Sequence, residues 1–299
     1  MIKVGLIGYG KYGKKYYNNI INDKKFKIIK ILKKKKISSK LFTNNKNKFF
    51  KIKKIDLYII ASPTYTHFEY LNMIMKKNKH IIVEKPFIKS REEFLKLKDK
   101  LKKYKKIILI NHTDLYSKTL LKIKEKIQKI GKIKSVSLIY GKKDPYLFNN
   151  VKTSSDLPFY EWLSHPLAII NNFFKNYKFD KIVESKQFRK GKFIIQNLKI
   201  VYQGKKFNIK IHFSNDYKLK KRNLIINGSK YCLIYKGYSN LKGCYLIKNK
   251  EINLTVKNDN PIKNLLENFK SKYHSKKIHD DRKIIYQTTN QLLSISNEI

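Results

Sequence analysis

The chain has 299 residues, 41% of them hydrophobic, and a formal net charge of +48. That length fits two globular domains with a substantial core, and no apolar run approaches the length of a membrane span. The charge invites a nucleic-acid reading, but only four of the 69 basic residues are arginine (Arg91, Arg189, Arg222 and Arg282), and base readout favours the planar arginine fork. Lysine is instead spread over the whole chain, as on the wet face of Lys206-Phe207-Asn208-Ile209-Lys210-Ile211-His212-Phe213. This is the pattern of a coding bias, so no dedicated nucleic-acid partner is expected. Cys232 and Cys244 form no C-x-x-C pair and imply no disulfide framework. A strand beginning at residue 2 leaves no room for a cleavable signal peptide, so a cytoplasmic location is expected.

In chain order, the first element is a strand at 2–7, followed by Gly8-Tyr9-Gly10-Lys11-Tyr12-Gly13 and a helix at 11–22. In a G-x-G-x-x-G turn the first glycine allows the bend, the second lets backbone approach a pyrophosphate, and the third lets helix pack on strand. Free N–H groups at the helix start favour the phosphates. Gly8, Gly10, Lys11, Tyr12 and Gly13 are therefore candidate dinucleotide contacts. A second strand at 26–32 ends in Lys33-Lys34-Lys35-Lys36-Ile37-Ser38-Ser39, with no acid between Asp23 and Asp56. A carboxylate there would repel a 2′-phosphate, whereas Lys33 and Ser38 would hold one, so NADP is expected, with NAD the other candidate.

The stretch 33–55 reads as irregular, with one crossover reduced to a loop. Strand 56–61, helix 65–77, strand 80–83, helix 90–104 and strand 107–111 complete an alternating α/β unit, which predicts a doubly wound parallel sheet. Ser62, Pro63 and His67 follow strand 56–61, and Glu84-Lys85-Pro86 follows strand 80–83 at a C-terminal strand end, where such sheets bind ligands. Beyond residue 130 strand signals dominate: 132–140, 180–187, 192–202, 205–213, 221–227 and 230–236, with Asn227-Gly228 as a tight-hairpin signal. Helices are predicted at 158–174, 262–274 and 281–296. The expected architecture is a Rossmann domain at 1–116 and an α+β domain with a large, mostly antiparallel open sheet at 117–299. The seven histidines show no ligand cluster, so no metal is expected.

The glycine turn, Ser62-Pro63-Thr64-Tyr65-Thr66-His67 and Glu84-Lys85-Pro86, in that order, resemble the glucose–fructose oxidoreductase, inositol dehydrogenase and MocA family. The resemblance covers residues 1–115 and continues more loosely to the C-terminus. It implies an NAD(P)-dependent oxidoreductase acting on the secondary alcohol or ketone of a sugar, a cyclitol or a derivative. It also implies Lys85 as a residue that hydrogen-bonds the reacting oxygen, cofactor contacts from Ser62, Pro63, His67, Glu84 and Lys85, and a homo-oligomer, dimer or tetramer. An Asp-x-x-x-His pair of the family is matched by Glu161-Trp162-Leu163-Ser164-His165, with Glu161 in place of the aspartate.

On a helix Glu161 and His165 share a face, and a carboxylate beside an imidazole makes a proton-transfer pair. Pro166 complicates that geometry, because proline removes a donor and disfavours helical backbone before it. His112, Asp114 and Trp162 are expected to line the substrate cleft. The rival expectation is a non-catalytic nucleotide-binding or regulatory descendant of the family.

Overall fold

A computed structural model describes residues 1–35, 38–143, 146, 147, 149, 151–175, 177–204, 206–238, 244–247, 251–275 and 280–299. Lys36 and Ile37 of the lysine loop, and Lys205 at the start of an expected strand, lie outside them. The elements run β1 (Ile2–Ile7), α1 (Lys11–Ile21), β2 (Phe26–Leu32), β3 (Phe42–Thr43), α2 (Lys46–Phe50) and β4 (Leu57–Ile60). Next come α3 (His67–Lys76), β5 (His80–Glu84), α4 (Arg91–Lys103), β6 (Ile108–Asn111), α5 (Lys118–Lys126), β7 (Ile133–Gly141) and β8 (Tyr146–Leu147). The remainder is α6 (Pro158–Phe173), β9 (Lys178–Lys190), β10 (Phe193–Gln203), β11 (Ile209–Ser214), β12 (Lys221–Gly228), β13 (Cys232–Tyr235), β14 (Cys244–Ile247), β15 (Glu251–Asn253), α7 (Pro261–Ser275) and α8 (Arg282–Glu298). No helix among the described residues is long and apolar enough to cross a membrane.

Two compact units result. The first comprises residues 1–111 and 262–286, the second 112–261 and 287–299. The boundary expected after 116 thus falls at 111/112, and the first unit also takes in a late segment assigned by sequence to the second domain. The reason is visible at β6, whose edge would otherwise be bare. Asp281 Oδ2 accepts from the Ile110 amide at 2.9 Å, and the Asp281 amide donates to Ile108 O at 3.1 Å. Phe269 of α7 packs on the His80 ring. Covering a strand edge in this way removes a template for unwanted pairing.

The first unit holds a six-stranded parallel sheet in the order β3-β2-β1-β4-β5-β6. Its central strands are largely apolar, with Lys3 the exposed residue of β1, and all four residues of β4 are buried, as parallel strands covered on both faces require. The crossover over 33–55 is short but not a bare loop, as the sequence suggested. It contains the two-residue β3 and the five-residue α2, which Asn45 caps through the Lys48 amide at 2.8 Å. Strand order reverses between β1 and β4, where doubly wound sheets open a crevice beyond their C-terminal ends.

The second unit holds a nine-stranded sheet, β15-β14-β13-β12-β7-β11-β10-β8, with β9 paired to β10. Its pairs are antiparallel except β7 with β11. Helix α6 packs against β7, β10 and β11. It runs unbroken through Pro166, and from Pro158 to Ile170 every residue except Glu161 is buried. Four aliphatic side chains there (Leu163, Leu167, Ile169 and Ile170) are at most 1% exposed, each contributing about 1.5–3 kcal/mol of burial. The Asn227-Gly228 turn is wider than a two-residue hairpin: β12 and β13 pair Asn227 with Cys232, leaving four residues between them. Residues 229 and 230 hydrogen-bond to Lys132 O and Ile130 O, and a Cβ on Gly228 would sit 2.2 Å from Ile130 O. The glycine serves that close approach. Helix α5 and strands β14 and β15 had no clear signal in the sequence.

Candidate functional site

The three glycines after β1 each show a distinct requirement. Gly8 has φ +91°, and a Cβ there would lie 2.5 Å from Ala61 O. A Cβ on Gly13 would lie 2.3 Å from Gly8 O, so only glycine lets α1 pack this tightly. Gly10 differs: a Cβ there would meet no atom within 4 Å, and its φ of −80° suits any residue. Nothing in the protein itself requires glycine at 10; a group approaching from outside would. Gly10 is the N-cap of α1 and offers no side-chain cap, so the first amides of the helix face outward for an anion. Lys11 is exposed and Tyr12 half-buried on the first turn. At the end of β2, Lys33 is half-buried, and Lys34, Lys35 and Ser38 are exposed. This constellation fits a dinucleotide with an additional phosphate on its adenosine side.

The loop after β4 departs from expectation at His67. The ring is fully buried, with Nδ1 3.0 Å from Pro86 O and Nε2 3.0 Å from Ser62 O. Burial lowers its pKa, against the smaller pull of these carbonyls toward the charged form. Donating from whichever nitrogen carries its proton, His67 lies between the loop carrying Ser62 and Pro63 and the segment after Lys85. It is a positioning residue, not the nucleotide contact expected from sequence. The Ser62 hydroxyl is 2.6 Å from that of Thr66.

Glu84 is corrected in the same way. It is the parallel-register partner of Asn111 across β5 and β6, so both side chains share one side of the sheet. Its carboxyl accepts from Asn111 Nδ2 at 2.7 Å, interacts with the Tyr16 hydroxyl from α1, and is 5% exposed. It is held inward, whereas the neighbouring Lys85 is only half-buried. Burial pushes the Glu84 carboxyl up to about 7, against the opposing pulls of Asn111, Tyr16, Lys85 and Lys15.

A carboxyl raised in the folded state binds its proton more tightly there than in the unfolded chain. Stability from Glu84 is therefore fully present below about 4.5 and is lost as pH rises toward about 7. Denaturant unfolding of Glu84→Gln should thus gain on the wild type by roughly 3 kcal/mol over this window. A constant difference across pH would contradict a protonated Glu84.

In the second unit, the sequence pair Glu161–His165 does not form the expected couple. Glu161 is exposed and accepts from the Tyr146 hydroxyl at 3.1 Å. The carboxylate against His165 is Asp114, with Oδ2 3.4 Å from Nδ1. Both residues are 1% exposed. Arg222, on β12, donates from Nη1 to Asp114 Oδ2 at 2.9 Å and from Nη2 to His165 Nε2 at 3.2 Å. Tyr235, on β13, donates to Asp114 Oδ1 at 2.9 Å. The Arg222 guanidinium also lies over Trp162, 5.7 Å from the ring centroid. Asp114, expected to touch substrate, is thus occupied by protein donors; His112 and Trp162 are buried, at 1% and 7% exposure.

The electrostatics follow from these contacts. Burial is the largest influence and works against the charge of Arg222, but Asp114 together with Tyr140, Tyr238 and Tyr235 outweighs it and holds the guanidinium above its ordinary pKa. Burial, then the Asp114 charge, pushes the Tyr140 and Tyr235 hydroxyls well above 10. Arg222, Tyr140 and Tyr235 were missed by sequence reasoning. One signal was present: an arginine at 222 in a chain with four arginines and 69 basic residues. Its partner lies 108 positions away, which no local pattern reveals.

The order 3-2-1-4-5-6 and the glycine turn define an NAD-binding Rossmann protein. Residues 2–112 match the model of the oxidoreductase family with an NAD-binding Rossmann fold. The match is to the family of glucose–fructose oxidoreductase, inositol dehydrogenase and MocA, and it covers the first unit's Rossmann part of the chain. No curated protein matches it by sequence.

Its fold is similar to that of a dehydrogenase from Clostridium difficile (17% identity, TM-score 0.78, covering 100% of this chain and 99% of that one). It is also similar to UDP-N-acetylglucosamine 3-dehydrogenase from Acidithiobacillus ferrooxidans (12%, 0.79, 100% and 97%). A third neighbour is a 3-ketoreductase from Actinomadura kijaniata, in complex with TDP-benzene and NADP (12%, 0.77, 99% and 96%). At these identities the likeness is one of fold.

Proposed function

We propose that the protein is an NAD(P)-dependent dehydrogenase or reductase acting on a secondary alcohol or ketone of a sugar, cyclitol or sugar derivative. The observation that carries this reading is the glycine turn, with Gly10 open to a ligand, within residues 2–112 that match the oxidoreductase family model. Neighbours named for sugar oxidation and keto reduction support the substrate class. A bound nicotinamide nucleotide would supply or accept the hydride. The α1 N-terminus and Gly10 would hold its pyrophosphate. Lys33, Lys34 and Lys35 would favour NADP, whose 2′-phosphate meets no acid at the end of β2. Lys85 would hydrogen-bond the substrate oxygen and stabilise its developing charge, and His165 would exchange the hydroxyl proton. Asp114 takes the orienting role expected of Glu161. A homo-oligomer belongs to this reading.

The test is a screen of sugars and cyclitols followed by nicotinamide absorbance, repeated with Lys85→Ala. Turnover should fall by about 10²–10³-fold with little change in NADPH affinity. Equal turnover would remove Lys85 from the chemistry.

A second reading is favoured by one contact: Arg222 already donates to His165 Nε2. A non-catalytic nucleotide-binding protein would bind NADPH, turn over none of these substrates, and keep that affinity in Lys85→Ala and His165→Ala.

A further inference from the structure

Among the described residues placed against His165 in the second unit, Arg222 supplies the positive charge. Asp114 follows β6, Tyr140 stacks at 6.4 Å from β7, Arg222 comes from β12, and Trp162 lies on α6 itself. Tyr235 and Tyr238 bear on Arg222 from the β13 side. A guanidinium has donors and no acceptor, so the Nε2 atom it contacts must be the lone-pair nitrogen of the imidazole. The ring proton is then on Nδ1, the nitrogen 3.4 Å from Asp114 Oδ2, a charge contact longer than an ordinary hydrogen bond. The charges also close: the Asp114 carboxylate is balanced by Arg222, which leaves His165 no counter-charge to provide.

We propose that Arg222 is a positioning residue that holds His165 neutral, with its proton fixed on Nδ1 toward Asp114. A lysine could supply the charge but not the fork. Asp114 Oδ2 and His165 Nε2 are reached by separate nitrogens of one planar group, whereas an ammonium is a single point donor on a flexible stem. That distinction accounts for an arginine in a chain where 65 of the 69 basic residues are lysine. The consequence rests on the oxidoreductase reading. A neutral imidazole can accept a proton from an alcohol, and it can do so at Nε2 only when the guanidinium moves off that nitrogen. Arg222 thereby sets both the protonation state and the condition for proton exchange.

The test is a long-range proton–nitrogen correlation spectrum of the histidine side chains at neutral pH on ¹⁵N-labelled full-length protein. The signals of His165 are assigned by their loss in His165→Gln. The wild type should show a protonated Nδ1 and an unprotonated Nε2. Arg222→Gln should convert His165 to the doubly protonated ring, because buried Asp114 then loses the guanidinium that balances it and His165 is the titratable group beside it. Arg222→Lys should remain neutral but lose its single tautomer.

A wild-type ring protonated at Nε2, or an Arg222→Gln spectrum unchanged from wild type, would overturn the proposal. If Arg222→Gln fails to fold by circular dichroism, Arg222→Lys decides alone, and retention of the pure Nδ1–H tautomer there overturns it. Once a substrate is found, Arg222→Lys should lower kcat about tenfold or more with NADPH affinity unchanged. The spectra are read without nucleotide or substrate, so a failed tautomer prediction is distinct from a failed oxidoreductase reading.

Discussion

Gly10→Val should fold normally and bind NADPH at least about 100-fold more weakly, a loss of about 2.7 kcal/mol or more. Position 10 has an ordinary φ and open space around a Cβ, so the protein accommodates a side chain there. Its stability cost is that of a poorer N-cap, about 1 kcal/mol. The cost to binding is larger, because the valine occupies the space in which a pyrophosphate must approach backbone.

The neighbouring glycines should behave in the opposite sense. Gly8→Ala places an L residue at φ +91° against Ala61 O, and Gly13→Ala meets Gly8 O, so both should lose about 2 kcal/mol or more of stability. The substitution at 10 leaves the net charge of +48 intact. General attraction of phosphates to a basic surface is therefore unchanged between wild type and variant. Urea unfolding together with nucleotide titration separates the two effects. Undiminished NADPH affinity in folded Gly10→Val would rule out this turn as the cradle.

Asp114→Ala should destabilise the protein by about 3–5 kcal/mol, whereas Glu161→Ala should stay within about 0.5 kcal/mol. Asp114 is buried under three partners, and removing it strands the buried Arg222 guanidinium and the Tyr235 hydroxyl. Glu161 is exposed and shares one hydrogen bond with Tyr146. The sequence assigned the carboxylate partner of His165 to Glu161, and the contrast between the two variants tests that correction directly. Similar losses in urea unfolding, or a larger loss for Glu161→Ala, would contradict the placement of Asp114.

Much of the first unit could be read from the chain because its determinants are local. The glycine spacing, the apolar runs of β1, β4 and β5, and the caps of α4 all lie within a few residues of what they control. Lys85 could be placed at the end of an apolar strand for the same reason, and it directly follows β5. The side-chain roles were harder. His67 and Glu84 carry the right motif, yet both are turned into the protein by partners 19 to 27 positions away. Helical periodicity placed Glu161 beside His165, but periodicity relates residues within one helix only. Asp114 and Arg222 reach His165 from other elements. The late segment 262–286 shows the same limit for the fold, since covering the β6 edge depends on contacts about 171 residues apart.

The central claim is specific nicotinamide nucleotide binding by the glycine turn. Its most direct measurement is a fluorescence titration of the wild-type protein with NADPH and NADH at about 150 mM salt, with ATP as competitor. Saturable binding that prefers NADPH and resists ATP is predicted. Equal, weak displacement by all three that fades as salt rises would reduce the interaction to bulk charge and contradict the oxidoreductase reading.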